Sequence, residues 1–250
     1  MSSSTHPRYA IYYAPPPDGG LWELAQRWLG RDCESGATLV RPEIDGLEAV
    51  DLDAATASPR RYGFHATLKA PFRLAPGTSL RDLHDALAVF AARQSSFEAP
   101  PLAVRALGPF LALTLSKPSE EMDRLAAAAV RDFEPVRAPL SEEDLQRRLN
   151  SGLAPRQEAL LRQWGYPYVM EEFRFHMTLT GPLETPQREL LQSHLTDLFS
   201  PHTAVSFLVD TVCLYGQHDQ EAPFQLMDRV RLSGPRAPDA ADAEEGELAR

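Results

Sequence analysis

The sequence predicts an α+β protein built by internal duplication, a bilobal pseudo-symmetric arrangement whose two copies can face each other across a cleft with helices packed behind them. Short strand-like runs alternate with amphipathic helical stretches. One segment occurs twice: Phe64-His65-Ala66-Thr67-Leu68-Lys69-Ala70-Pro71 returns as Phe175-His176-Met177-Thr178-Leu179-Thr180-Gly181-Pro182, both reading F-H-x-T-L-x-x-P and 111 residues apart. Each copy is followed by a helical stretch and then two strand-like runs, so the repeating unit reads as strand–helix–strand–strand.

Residues 8–14 (RYAIYYA) read as a strand halted by Pro15-Pro16-Pro17, and 21–29 as an amphipathic helix ended by Gly30. The polar stretch 31–59, punctuated by Pro and Asp, reads as an irregular connection with room for one short element. A strand follows over 62–74. Residues 79–94 form a helix whose Leu80, Leu83, Leu87 and Phe90 make one apolar stripe. Residues 102–107 and 110–116 read as a hairpin around Gly108-Pro109. Ser119 then caps a helix to about 133, with Glu120 and Glu121 complementing its dipole. Helices over 142–149 and 156–164 precede a strand over 173–180, a helix over 186–199, and strands over 205–215 and 224–232. This gives a single bilobal domain over 1–233, with lobes at about 8–135 and 165–233 and a helical insertion at about 141–164. The Ala/Asp/Glu-rich tail, 234–250, has little to bury and is expected to be disordered.

The bulk properties narrow the function. At 250 residues the chain can bury a large core, and no run approaches the roughly 20 apolar residues of a membrane span. Residues 1–7 lack the layout of a signal peptide, so a cytoplasmic location is expected. Cys33 and Cys213 have neither a CxxC partner nor a histidine at zinc spacing, and read as small buried residues. The formal net charge of −10 repels a long polyanion, so nucleic acid is disfavoured and a small phosphorylated sugar or nucleotide is the expected partner. Nothing in the sequence requires an oligomer.

Strand alternation turns the repeat into chemistry, because side chains at i, i+2 and i+4 share a face. His65, Thr67 and Lys69 share one face in the first copy, and Arg174, His176, Thr178 and Thr180 in the second. If both faces look into one cleft, each copy contributes an imidazole and a hydroxyl. Such a pair suits phosphodiester cleavage: a neutral imidazole takes a proton from the attacking water, and a protonated one gives a proton to the leaving oxygen. The Thr67 and Thr178 hydroxyls can hold non-bridging oxygens, while Lys69 or Arg174 can neutralise developing charge. This scheme needs no metal and no other cofactor. A lone H-x-T strand would carry little weight, but two in matching surroundings favour function over decoration. His6, His84, His194, His202 and His218 lack such settings, and no GxGxxG, GxxxxGK or GxSxG pattern is present.

The paired His65-Ala66-Thr67-Leu68 and His176-Met177-Thr178-Leu179 segments resemble the two-histidine phosphoesterase superfamily, in its LigT-like form. Within it, residues 8–12, 28–31, 61–72, 137–140 and 164–168 resemble the branch associated with phosphonate metabolism, a likeness extending to about residue 233. The resemblance implies a bilobal α/β fold with two antiparallel sheets around a central cleft, and metal-independent hydrolysis by His65 and His176. It also implies that Tyr12, Arg137, Arg148 and Tyr168 line the cleft. The implied substrate is a phosphorylated ribose carrying a cyclic phosphate. The alternatives are an RNA or nucleotide 2′,3′-cyclic phosphodiesterase and a non-catalytic nucleotide-binding relative.

Overall fold

The computed structural model describes residues 7–44 and 50–235. It begins with β1 (Arg8–Tyr13) and α1 (Gly20–Leu29), the helix closing on Gly30 in the left-handed region. The expected irregular stretch then contains α2 (Leu52–Tyr62). Its Asp and Pro residues read as breakers in the sequence. Asp51 instead caps the helix by accepting from the Ala54 amide, and Pro59 is tolerated within it. The first copy of the repeat supplies β2 (Ala66–Phe72), α3 (Leu80–Arg93), β3 (Phe97–Ala99), β4 (Leu102–Leu107) and β5 (Phe110–Leu115). Helices α4 (Glu120–Asp132), α5 (Glu142–Leu149) and α6 (Pro155–Trp164) follow, then a 3-10 turn (Met170–Glu172). The second copy supplies β6 (His176–Thr178), α7 (Thr185–Thr203), β7 (Phe207–Val209), β8 (Thr211–Gln217) and β9 (Gln225–Arg231). The tail expected to be disordered lies outside the described residues, apart from Gly234 and Pro235.

The architecture is α+β and every strand pairing is antiparallel. Seven strands lie in the order β4-β5-β6-β2-β1-β8-β9, and β3 with β7 forms a separate ribbon. The large sheet consists of two halves that meet at one residue pair, Ala66 opposite Met177. Strand pairing does not separate the chain into the expected lobes. The second copy's β6 joins the first copy's hairpin β5-β4, while β2 joins the second copy's hairpin β8-β9 through β1. The equivalent short strands β3 and β7 pair with each other. The copies have exchanged partners, and that exchange brings the two H-x-T strands together.

The apolar face of each motif enters the core as alternation predicts. Phe64, Ala66 and Leu68, and Phe175, Met177 and Leu179, are all buried. Leu83, Leu87 and Phe90 of α3 are fully buried with them, each Leu or Phe contributing about 1.5–3 kcal/mol through burial. Ser79 and Asp82 form a reciprocal capping box on α3, and Ser119 caps α4 through the Met122 amide. Both cysteines are buried and unpaired. Among the described residues no helix is long and apolar enough to cross a membrane.

Candidate active site

The joint between the half-sheets fixes four polar side chains. With Ala66 opposite Met177 in an antiparallel pair, His65 stands across from Thr178, and Thr67 across from His176. All four lie on the face opposite the buried Ala66 and Met177, and all four are partly solvent-accessible. Directly opposed side chains in such a pair have Cβ atoms about 4.5–5.5 Å apart, and the diagonal places the backbone positions of the two histidines about 7–8 Å apart. A single phosphate group bridges a gap of that size.

Each imidazole is held in the same way. His65 Nδ1 lies 2.9 Å from the Gly63 carbonyl oxygen, and His176 Nδ1 lies 2.7 Å from that of Arg174. A carbonyl only accepts, so Nδ1 carries the hydrogen in both rings and Nε2 is left for chemistry. The repeat therefore extends to the backbone, each histidine donating to the residue two positions before it. The Thr67 hydroxyl is 3.3 Å from His65 Nε2. Tyr12, across from Thr67 on β1, stacks on the His65 ring at 3.7 Å and 17°. Burial lowers the His65 pKa to about 4; the Gly63 carbonyl opposes that shift and the nearby His176 adds to it. His65 is thus neutral at physiological pH, with an unprotonated Nε2 that accepts from the Thr67 hydroxyl.

Gly63 is required where it stands. Its φ of 79° is left-handed, and a Cβ there would lie 2.7 Å from Cys33 Cβ. The glycine ends α2 and turns the chain so that its carbonyl faces His65.

A cleft of ≈ 420 Å³ opens over the joint, within the range of small-ligand sites. His65, Thr67 and Thr178 line it, with Tyr12, Tyr62, Phe110 and Tyr166 as aromatic walls and Arg8 and Arg148 as cations. His176 is not among the lining residues; its ring centroid lies 6.1 Å from that of Phe110, which is. Among the described residues, no group of three His, Cys, Asp or Glu side chains is placed to hold a metal.

Four residues expected in the cleft are absent from its lining, although Lys69 and Arg137 line the recess that adjoins it. Lys69 is 2% exposed; its Nζ donates to the Val130 carbonyl at 2.7 Å and to Glu134 at 2.6 Å. The cause is a register shift between the Tyr12–Thr67 and Ile11–Lys69 pairs, which puts an extra residue into β2 and reverses the face of Lys69. Arg174 precedes β6, so strand alternation does not reach it; it is exposed and donates to the Glu171 and Phe173 carbonyls. Arg137 is held by Glu134 and the Ala138 carbonyl. Tyr168 is 49% exposed and meets Tyr166 edge-on, so that Tyr166 is the aromatic in the wall. Tyr12 and Arg148 do line the cleft. Sequence reading misses Arg8, Tyr62, Phe110, Tyr166 and Gly63, of which only Arg8, beginning the first strand, carries a signal of its own.

The paired H-x-T strands at the centre of the antiparallel sheet are the segments by which the sequence resembles the LigT-like, two-histidine class. The chain belongs to the family described as "Protein of unknown function (DUF1045)", which matches residues 67–225. A curated relative from Janthinobacterium sp. (strain Marseille), named ribose 1,5-bisphosphate phosphokinase PhnN, is 37% identical over 241 residues, covering 94% of this chain and 52% of the relative. A protein of the same name from Laribacter hongkongensis (strain HLHK9) is 40% identical over 177 residues, covering 71% of this chain and 40% of the relative. The chain thus spans about half the length of the curated relatives it matches. Solved structures similar to it include E. coli LigT complexed with 3′-AMP, at 14% identity and a TM-score of 0.40 over 91% of this chain and 98% of that one. TT0787 of Thermus thermophilus is similar at 13% identity and a TM-score of 0.45, over 92% of this chain and 100% of that one.

Proposed function

We propose that this chain hydrolyses a small cyclic phosphodiester to a phosphomonoester, with His65 as general base and His176 as general acid. The observation behind this reading is the placement of His65, Thr67, His176 and Thr178 on one face of the β2–β6 joint. In the reaction, His65 Nε2 takes a proton from a water whose oxygen attacks phosphorus. The bond from phosphorus to one ring oxygen breaks, and His176 donates its Nε2 proton to that oxygen. The Thr67 and Thr178 hydroxyls donate to the non-bridging oxygens as negative charge builds on them. The base role falls to His65 because it is the imidazole held neutral by burial under Tyr12.

The substrate class proposed is a phosphorylated ribose carrying the cyclic phosphate, in phosphonate catabolism. The relatives named for ribose 1,5-bisphosphate support it, although they are about twice as long as the matched region. Their kinase activity is not proposed for this chain, which has no GxxxxGK loop to grip a nucleotide triphosphate. The test is phosphorus NMR on purified protein with ribose 1,2-cyclic phosphate 5-phosphate and with nucleoside 2′,3′-cyclic phosphates. Conversion to a monoester, lost in His65→Ala and in His176→Ala by about 10²–10⁴-fold in rate, supports the reading. Near-wild-type turnover in both variants overturns it.

A further inference from the structure

The cleft continues past the four-residue centre into a narrower recess that shares Arg8, Ala70, Pro71, Arg148 and Tyr166 with it. The recess is strongly cationic in a chain whose net charge is −10. Arg8, Lys69, Arg73, Arg137, Arg147 and Arg148 line it. Four of these are already engaged: Arg73 and Arg147 share Asp144, and Lys69 and Arg137 share Glu134.

Arg8 and Arg148 differ from the rest. Neither has a carboxylate partner among the described residues. Arg8 donates from Nε to the neutral Gln217 Oε1 at 2.7 Å and lies 5.6 Å over the Phe224 ring, which leaves its two terminal nitrogens without an acceptor among the described residues. Arg148 lies 5.5 Å over the Tyr166 ring, and its guanidinium makes no hydrogen bond to a described residue. Both are only partly exposed, and burial lowers the pKa of each, with the charge of Arg8 adding to the effect on Arg148. Asp144 lies near enough to act on Arg148 but is already paired with Arg73 and Arg147, so two partly desolvated guanidiniums share one recess with no ion-pair partner of their own, which is costly. A doubly charged anion forked between them offsets that cost.

We infer that Arg8 and Arg148 form a second anion site, which takes a phosphomonoester carried by the same substrate at a distance from the phosphate that is cleaved. The inference rests on the proposed hydrolysis only for the identity of the first phosphate. It selects substrates with two phosphorus groups over those with one. Tyr62 and Tyr166 line the same cleft as Arg8 and Arg148, and aromatic faces suit a sugar ring.

Binding and kinetics test it separately. In isothermal titration calorimetry, ribose 5-phosphate should bind far more tightly than ribose. Arg8→Gln or Arg148→Gln should each weaken it by about 10–100-fold, the scale of charge-assisted hydrogen bonds. Arg148→Lys should recover part of the loss, and thermal unfolding of the variants identifies any that fail to fold. The His65→Ala/His176→Ala double variant should keep the wild-type affinity. Equal affinity for ribose and ribose 5-phosphate, or Arg variants that bind the phosphate as well as wild type does, would overturn the site. In turnover, kcat/KM for ribose 1,2-cyclic phosphate 5-phosphate should exceed that for ribose 1,2-cyclic phosphate, and Arg148→Gln should erase this preference through KM. An equal loss on both substrates counts against the site. Arginine-dependent binding with no hydrolysis of either compound would refute the proposed reaction and leave the anion site standing.

Discussion

To accept a proton from water His65 must be neutral, and its surroundings set the pH at which that state is lost. Burial beneath Tyr12 takes its pKa to about 4, against an ordinary histidine value of about 6.5. An ordinary histidine is about 3% neutral at pH 5, whereas one with a pKa near 4 is about 90% neutral, a difference of about 30-fold in competent enzyme. The acid limb of kcat/KM should therefore fall near pH 4. The sign for stability follows from the same shift. The folded state binds the proton less readily than the unfolded chain, so the contribution is complete above about pH 6.5 and is lost as pH falls toward 4. With the ring partly open to the cleft, this amounts to about 1–3 kcal/mol. Titration of the histidine ring carbons by NMR, with His65 assigned from its absence in His65→Gln, measures the midpoint directly and needs no substrate. Since the nearby His176 contributes to the depression, His176→Gln should raise that midpoint. A His65 midpoint at or above 6.5 in the wild-type protein would refute the assignment of His65 as the neutral base.

Other expectations follow from single contacts. Gly63→Ala forces a Cβ onto Cys33 and a left-handed φ on alanine, and should cost about 1–3 kcal/mol in urea unfolding and lower kcat through a displaced His65. Lys69→Met removes one partner of a buried ion pair, while Glu134 keeps Arg137 and some solvent. It should lower stability by about 1–3 kcal/mol and leave KM unchanged, and a large rise in KM would restore Lys69 to the substrate site. Thr67→Val and Thr178→Val should each lower kcat by about 10–100-fold with the midpoint of unfolding nearly kept, since each loses only a hydrogen bond aimed into the cleft.

Much of the site is legible because the chain states it twice. One F-H-x-T-L strand fits many folds, but two copies fix the face of each histidine, since apolar Phe64, Ala66, Phe175 and Met177 must go inward. The same rule fails at Lys69 for a definite reason. Alternation assumes an unbroken strand, and the extra residue in β2 beyond Thr67 is set by its pairing with β1, a partner distant in sequence. It fails for Arg174 at the other end, where the 3-10 turn delays the start of β6 until His176. Helix α2 escapes a sequence reading because Asp51 and Pro59 look like punctuation, although an aspartate before an Ala-rich run is also a helix start.

The partner exchange explains why the site lies where it does. Had each H-x-T strand paired with the hairpin of its own copy, each histidine could have stood in a separate half-sheet, with no need to meet the other. In the observed order β6 is flanked by β5 of the first copy, and β2 by β1, which leads to β8 of the second, so the remaining edges of β2 and β6 face each other. Their joint is a single pair, Ala66 with Met177, both small or unbranched and fully buried. So short a joint costs ladder hydrogen bonds, yet only the residues flanking it, His65, Thr67, His176 and Thr178, can serve both half-sheets at once. The proposed site therefore sits on the seam of the duplication. A bulkier β-branched residue at position 66, such as Ala66→Val, should separate the strands and lower kcat even though it touches no substrate. Unchanged kcat in that variant, with the fold intact by circular dichroism, would show that the seam does not set the spacing of the histidines.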